Sequence, residues 1–197
     1  GETYKYSDED MQMGGSVQST QDGRIVAVIG GHNYKSGDLN KATVKQQPGS
    51  SIKPILDYGM AYKYLDWCTG HTVKDEPIEA GIKNWDNQFH GSMTISEALE
   101  NSWNIPAYTT FQEVKKVAGS KNLTEDLESL GIDMSDQDPD LPDSYAIGGW
   151  STGVSPVEMA GAYATVANNG KYIESHTVNY IEVAKDNETI KVDEQLQ

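Results

Sequence analysis

Residues 46–56 read Gln-Gln-Pro-Gly-Ser-Ser-Ile-Lys-Pro-Ile-Leu, and this stretch decides how the chain is interpreted. Its Pro-Gly pair ends whatever structure comes before, and its second proline falls in a first helical turn, where a missing N–H costs least. The pattern predicts a helix that starts close to Ser50 and runs to about Leu65. Because residues i and i+3 share a helix face, Ser50 and Lys53 can touch.

This spacing places a hydroxyl nucleophile beside an amine base. Burial and the positive end of the helix dipole both favour a neutral Lys53, which could accept the proton of Ser50. The alternative is a helix cap followed by a solvated lysine, and a bare four-residue match would favour that alternative. The flanking residues and a second motif therefore decide between the two interpretations.

The composition excludes several function classes. The chain has 197 residues and a formal net charge of -15, so a nucleic-acid backbone would be repelled over most of its surface. Cys68 is the single cysteine, so no intrachain disulfide can form. The four histidines are scattered without metal-ligand spacing, and we expect neither a metal nor another cofactor. No apolar run could span a bilayer, so any anchor is expected outside this sequence.

A hairpin is predicted near the N-terminus. Residues 1–13 are polar and acidic and are expected to form a loosely held lead-in. The Asp22-Gly23 pair then separates two strand-like runs. The second run, 24–29, is apolar on both faces, which predicts a strand buried between layers.

A second hydroxyl-bearing motif, Ser102-Trp103-Asn104, follows a predicted short helix with Thr94 or Ser96 as its N-cap. A further helix is predicted to begin at Pro106, so the motif would lie on a turn and project its hydroxyl and amide together. The alternative is a capping box with an exposed tryptophan, which would be the better interpretation of this motif alone.

The remaining elements are predicted from turn signals and periodicity. Residues 67–90 are rich in turn formers and are expected to form an extended excursion. Helices are predicted over 123–130 and 157–167, where Ser155-Pro156 opens the second. Strands are predicted at 172–173 and 178–183.

Taken together, these motifs resemble the transpeptidase domain of the class A, bifunctional penicillin-binding proteins. Residues 47–54 look like the Ser-x-x-Lys box of that family and 102–104 like its Ser-x-Asn box, with supporting stretches at 23–31 and 153–170. The resemblance implies an α/β (α+β) penicillin-binding-protein/beta-lactamase-like fold: a central antiparallel sheet flanked by helices, plus an all-helical subdomain. Residues 14–197 would be the N-terminal part of a single transpeptidase domain.

The resemblance also implies roles for individual residues. Ser50 would be the acylated nucleophile, Lys53 would take its proton, and Ser102 would relay a proton to the leaving amine. Asn104 would hold the amide of the bound peptide, and Trp103 would belong to the substrate-binding site. The substrates would be D-Ala-D-Ala stem peptides of peptidoglycan, with beta-lactam antibiotics acylating the same serine. The domain would act at the extracytoplasmic face of the bacterial cell membrane.

The third box of the family, Lys-Thr-Gly or Lys-Ser-Gly on a sheet strand, has no match after Asn104. Residues 35–37 have the letters but precede Ser50 in a polar loop, so we interpret them as coincidence. We therefore expect an incomplete site, completed by a second polypeptide or a C-terminal segment that carries this strand. A beta-lactamase is one alternative, although a Glu-x-x-Leu-Asn stretch is missing. A catalytically incomplete module that senses or binds beta-lactams is another.

Overall fold

The computed structural model describes residues 11–178, 180–185 and 188–192. Most of the predicted lead-in, residues 1–10, lies outside the described residues. The chain divides into two compact units, one formed by Gly1–Val44 and Ser155–Gln197 and the other by Lys45–Val154. Among the described residues, no helix combines the length and the apolar character that a membrane crossing needs.

In the first unit, the predicted hairpin forms. Strand β1 (Gly15–Gln18) pairs antiparallel with β2 (Ile25–Ile29), with an irregularity between Val17 and Gln18. Helix α4 (Pro156–Ala167) packs on β1 and begins with a capping box between Ser155 and Glu158. The cap satisfies N–H groups that would otherwise have no partner at the helix start.

The interpretation of 24–29 as a buried strand is wrong for the described structure. From Val26 to Ile29 every residue of β2 is exposed, with Val26 at 54% and Val28 at 43%. In the described structure β2 belongs to a sheet of only two strands, β1 and β2. The described residues therefore do not cover both faces of β2, as they would in a larger sheet between two layers.

The C-terminal strand predictions are partly correct. Residues 172–173 form no strand; the chain there leads to a single parallel bridge between Arg24 and His176. Strand β5 (Ile181–Lys185) overlaps the predicted 178–183 strand and pairs antiparallel with β6 (Glu188–Val192).

In the second unit, the predicted nucleophile helix forms as one helical run, 49–64, whose hydrogen-bonding pattern changes along its length. A 3-10 turn (Gly49–Ile52) leads into a π-helical stretch (Pro54–Gly59) and then into helix α1 (Met60–Tyr64). Such changes of hydrogen-bonding pattern are frequent at functional sites. The excursion over 67–90 contains a strand that the sequence did not reveal, β3 (Thr72–Asp75), paired antiparallel with β4 (Gly91–Thr94).

The remaining helices of this unit follow the predictions closely. Helix α2 (Ile95–Glu100) has Thr94 as its N-cap. Helix α3 (Asn104–Ser129) joins two predicted helices across a kink at Gly119, and a 3-10 turn (Asp143–Ile147) follows. The helical run, the β3–β4 hairpin, α2 and α3 enclose one core, whose buried members are Tyr58, Val73, Met93, Ile95, Ala98, Trp103 and Ala107.

The fold matches the expected class of helices with antiparallel sheets. The described strands form three separate two-stranded sheets, β1–β2, β3–β4 and β5–β6. This arrangement agrees with an incomplete version of the central sheet.

Candidate active site

Ser50 lies exposed on the first turn of the helical run, in the 3-10 turn Gly49–Ile52. The neighbouring Ser51 hydroxyl donates to the carbonyl of Pro48 at 2.6 Å, whereas the Ser50 hydroxyl has no hydrogen bond to any described residue. Ile52 is completely buried and fixes the turn to the core. Of the two adjacent serines, Ser50 is therefore the one whose hydroxyl is available.

The chain before Ser50 is held by the glycine-rich segment 148–154. The Gln47 amide group makes two hydrogen bonds to the backbone of Trp150, accepting from its N–H at 2.6 Å and donating to its carbonyl. Gly148 has a φ of 85° and packs directly on Gly49, since a Cβ there would lie 2.2 Å from the Gly49 Cα. Only glycine fits both the left-handed backbone and this close approach. The sequence analysis did not identify these supporting contacts.

Lys53 follows Ser50 on the run and is fully buried. Its Nζ lies 2.7 Å from the Asn104 Oδ1, 2.8 Å from the Ser102 carbonyl oxygen and 3.3 Å from the Ser102 Oγ. The carbonyl oxygen of Trp103 is 3.4 Å away. The structure thus brings the two predicted motifs together around one amine.

The amine does not make the expected hydrogen bond to Ser50 in this structure. We attribute its position to the turn at 102–104, which offers several oxygen acceptors in a buried place where an unpaired ammonium would be costly. Catalytic hydrogen bonds often tighten only when substrate is bound.

The environment of Lys53 favours its neutral form. Burial lowers the pKa of the Lys53 amine to about 8, and the charge of Asp57 opposes this effect. A lysine with a pKa near 8 has a substantial neutral fraction at mildly alkaline pH, which a general base requires. The expectation of a buried amine with a lowered pKa is confirmed.

The Ser102 turn is an unusual backbone element held by α2. Ser102 has a φ of 54°, in the left-handed region, while the Ser102 and Trp103 N–H groups donate to the Leu99 and Ala98 carbonyls. A non-glycine residue in this region carries strain, which is more common at functional sites. The turn directs the Ser102 hydroxyl towards Lys53.

Asn84 fixes the position where this turn enters α3. Its Oδ1 accepts the N–H of Asn104 at 2.9 Å and that of Ile105 at 3.4 Å, and so caps a helix that has no side-chain cap of its own. Its Nδ2 donates to both carboxylate oxygens of Asp75, at 2.9 and 2.7 Å. Asn84 belongs to the predicted excursion, and no local pattern shows that it reaches a helix twenty residues away.

The two residues predicted to bind substrate, Asn104 and Trp103, differ in how accessible their side chains are. Asn104 accepts from Lys53 at its Oδ1 and donates from its Nδ2 to the Lys83 carbonyl at 2.9 Å, which leaves a second N–H of the amide for another acceptor. Trp103 is only 7% exposed, so the alternative of an exposed tryptophan is wrong.

Trp103 is instead the centre of an aromatic stack. Its ring stacks with that of His90, at 3.9 Å between ring centroids, and with that of Trp85, at 5.5 Å. Trp85 is 69% exposed, and His90 is also exposed, so both partners of Trp103 offer accessible ring surface. The role of Trp103 in substrate binding stays a prediction.

The arrangement provides an accessible hydroxyl, a buried amine with a lowered pKa and a second hydroxyl in contact with that amine. These are the parts of a proton path for nucleophilic acyl transfer. Residues 35–37 lie in an exposed loop, not on a strand, which agrees with their interpretation as coincidence.

Comparisons with known proteins identify the family of the chain. The family model of the penicillin-binding protein transpeptidase domain matches residues 13–196. Penicillin-binding protein 1A/1B of Bacillus subtilis is 37% identical over 92% of this chain, and penicillin-binding protein 1A of Streptococcus pneumoniae is 32% identical over 85%. The chain spans only 20% and 24% of these relatives.

Solved structures show the same fold. Penicillin-binding protein 1A of Haemophilus influenzae superposes with a TM-score of 0.73 and 27% identity, over 92% of this chain and 26% of that one. PonA1 of Mycobacterium tuberculosis in complex with penicillin V gives a TM-score of 0.76 at 21% identity, over 94% and 52% of the two chains. The chain therefore belongs to the family of penicillin-binding protein transpeptidase domains.

Proposed function

We propose that this chain is the N-terminal part of a peptidoglycan D,D-transpeptidase that works through a serine acyl-enzyme. The observation that carries the proposal is the buried Lys53 amine in contact with the Ser102 hydroxyl and the Asn104 amide. A buried amine with a lowered pKa, in contact with a second hydroxyl and three residues from an accessible serine, is the arrangement expected of a general base. Residues 14–197 are proposed to belong to one transpeptidase domain.

In the first step, the Ser50 Oγ attacks the carbonyl carbon between the two terminal D-Ala residues of a stem peptide. Lys53 takes the hydroxyl proton, the C–N bond breaks, and a proton passes through Ser102 to the departing D-Ala amine. In the second step, an amine of a neighbouring strand attacks the ester, forms a new amide and returns the proton to Ser50. Asn104 offers its free N–H to the bound peptide.

The backbone N–H of Ser50 is proposed as one donor to the oxyanion of the tetrahedral intermediate. Each such donor is typically worth roughly 3 kcal/mol. The second donor, and the cation for the substrate carboxylate, would come from a strand with a Lys-Thr-Gly or Lys-Ser-Gly sequence. We propose that a segment or polypeptide beyond Gln197 supplies this strand.

The exposed apolar faces of β2 support that part of the proposal. A strand apolar on both faces is typical of the inside of a larger sheet. We further propose that the intact protein is anchored in the bacterial membrane, with this domain on its extracytoplasmic side.

Labelling with a fluorescent penicillin tests the proposal. The intact protein should take up one covalent label, and Ser50→Ala should take up none. Ser51→Ala should label normally, because in the wild-type protein the Ser51 hydroxyl donates to the Pro48 carbonyl and is not the nucleophile. Label on Ser50→Ala, or none on the wild-type protein, would contradict the proposal.

The rate at which the label is released and the formation of cross-linked product separate the alternatives. A beta-lactamase would release the label rapidly and hydrolyse penicillin in many turnovers. A sensing or binding module would hold the label but fail to join stem peptides to an acceptor amine. Slow release together with formation of cross-linked product supports the transpeptidase.

A further inference from the structure

The carboxyl group of Asp57 is a buried titratable group that the proposed mechanism does not use. Asp57 is 0% exposed, and neither of its carboxyl oxygens has a hydrogen-bond partner among the described residues. A buried carboxyl without partners is costly, and folded proteins rarely keep one without a structural or catalytic reason.

The position of Asp57 relates it to the catalytic amine. It lies four residues after Lys53, in the π-helical stretch Pro54–Gly59 that begins directly after that lysine. Residues four apart lie on one side of a helix, so the carboxyl and the amine both point into the core. The Tyr58 hydroxyl and the Thr110 hydroxyl on α3 are also buried and have no hydrogen-bond partner within the described part of the chain.

Lys53 is the charged group that acts on Asp57 among the described residues. The nearby titratable groups on the same helical run are the phenols of Tyr58 and Tyr62. Charged and phenolic groups on the neighbouring elements are already paired with one another: Lys63 and Tyr64 with Asp126, and Lys115 and Tyr108 with Asp143.

The two groups influence each other in opposite directions. Burial raises the pKa of the Asp57 carboxyl well above its usual range, and the positive charge of Lys53 counteracts this. Burial lowers the pKa of Lys53, and the negative charge of Asp57 counteracts that. Each charge therefore favours the ionised form of the other group.

We propose that Asp57 is a positioning residue for acylation, whose buried carboxylate one helical turn from Lys53 sets the pH at which the Lys53 amine becomes a base. The inference rests on the proposed role of Lys53. When it is ionised, the Asp57 carboxylate favours the protonated amine, so that acylation below the midpoint of the pH profile runs below its maximal rate.

The test is the variant Asp57→Asn in the intact protein, with the rate of acylation by fluorescent penicillin followed from pH 6 to pH 10. Without the carboxylate, Lys53 loses its proton more readily, and we expect the midpoint of the profile to fall by about one pH unit. At pH 7 the rate should rise several-fold, while the alkaline plateau stays the same. A midpoint that is unchanged or higher would overturn the inference.

Asp126→Asn is the matched control, because Asp126 pairs with Lys63 at the surface and its loss should leave the midpoint in place. Asp57→Leu separates charge from polarity, since it should shift the midpoint in the same direction as Asp57→Asn. A shift with Asp126→Asn of equal size, or opposite shifts of the two Asp57 variants, would contradict the inference.

A second measurement needs neither a variant nor activity. In wild-type protein labelled with ¹³C at aspartate carboxyl and lysine Cε carbons, Asp57 and Lys53 should titrate together, with Asp57 well above the usual range of aspartate. An Asp57 that titrates at its usual value would overturn the inference. Failure of Ser50 to label contradicts only the proposed function, whereas labelling with an unchanged Asp57→Asn midpoint contradicts only the role of Asp57.

Discussion

At the scale of single residues, the site depends on one buried amine and on the space around one serine. Lys53 combines full burial, which lowers the pKa of its amine, with contacts to the Ser102 hydroxyl and the Asn104 amide. Ser50 remains exposed on a turn whose backbone touches Gly148. The burial of Lys53 and the contact of the Ser50 turn with Gly148 each lead to a prediction that can be tested.

Acylation should rise with pH through a midpoint at about 8, which is the pKa to which burial lowers Lys53. Below that pH the neutral fraction of the amine grows about tenfold for each pH unit, and above it the rate levels off. Rates of penicillin labelling between pH 6 and pH 10 check this. Lys63→Ala should keep the profile, and a flat wild-type profile would count against Lys53 as the base.

Gly148→Ala should destabilise the protein and impair acylation. The new Cβ would fall on the backbone of Gly49 and would also occupy a left-handed backbone conformation, which together should cost at least about 2 kcal/mol. Chemical denaturation and penicillin labelling measure both effects. Gly70→Ala is the control, because its Cβ would meet its nearest neighbour, the Cys68 Sγ, at 4.0 Å. Equal stability of the two variants would contradict the prediction.

At the scale of elements, α3 begins where the second motif ends, and a distant side chain caps it. Asn84 lies in the connection between β3 and β4, yet its Oδ1 accepts hydrogen bonds from the N–H groups of Asn104 and Ile105. The connection, first interpreted as an excursion, therefore fixes the turn that carries Ser102. The hairpin and the helix act as one unit in holding the site.

Asn84→Ala should lower the free energy of unfolding by about 1–2 kcal/mol, since it removes a helix cap and leaves the Asp75 carboxylate without two hydrogen bonds. Acylation should slow by about tenfold to a hundredfold, because small displacements of catalytic groups are costly. Denaturation curves and labelling rates give the two numbers. Gln88→Ala, at an exposed side chain of the same connection, should change neither stability nor labelling. An unaffected labelling rate in Asn84→Ala would contradict the role of Asn84 in holding the Ser102 turn.

At the scale of the whole molecule, the described chain presents apolar surface that a complete sheet would cover. Val26 and Val28 alternate with Ala27 along β2, so that neither face of the strand is polar. Their exposure follows from a sheet of two strands. The proposed completion of the sheet therefore predicts different effects of the same substitution at two valines that are both exposed here.

In the intact protein, Val28→Asp should be strongly destabilising and Val117→Asp nearly neutral, although Val28 is 43% and Val117 62% exposed here. A valine covered by a layer packed on the completed sheet contributes about 1.5–3 kcal/mol, which a buried carboxylate would remove. Thermal unfolding and penicillin labelling of both variants check this. Similar melting temperatures would mean that β2 stays uncovered.

Local chemistry determined a large part of this protein. The Pro-Gly pair before Ser50, the cap at Thr94 and the Asp22-Gly23 turn each act over a few residues, and each element formed where it was predicted. The burial of Lys53 was also expected, because a lysine that acts as a base at the start of this helix must be neutral, and burial favours the neutral amine.

Only the tertiary structure decided which groups meet. Lys53 turns to Ser102 and Asn104 because those oxygens are brought to it by a helix about fifty residues further along. Asn84, Gln47 with Trp150, and the close contact at Gly148 have no local signature, since each depends on a partner that is distant in sequence. Trp103 is buried and β2 is exposed for the same physical reason: burial depends on how many elements pack around a residue, which periodicity alone does not specify.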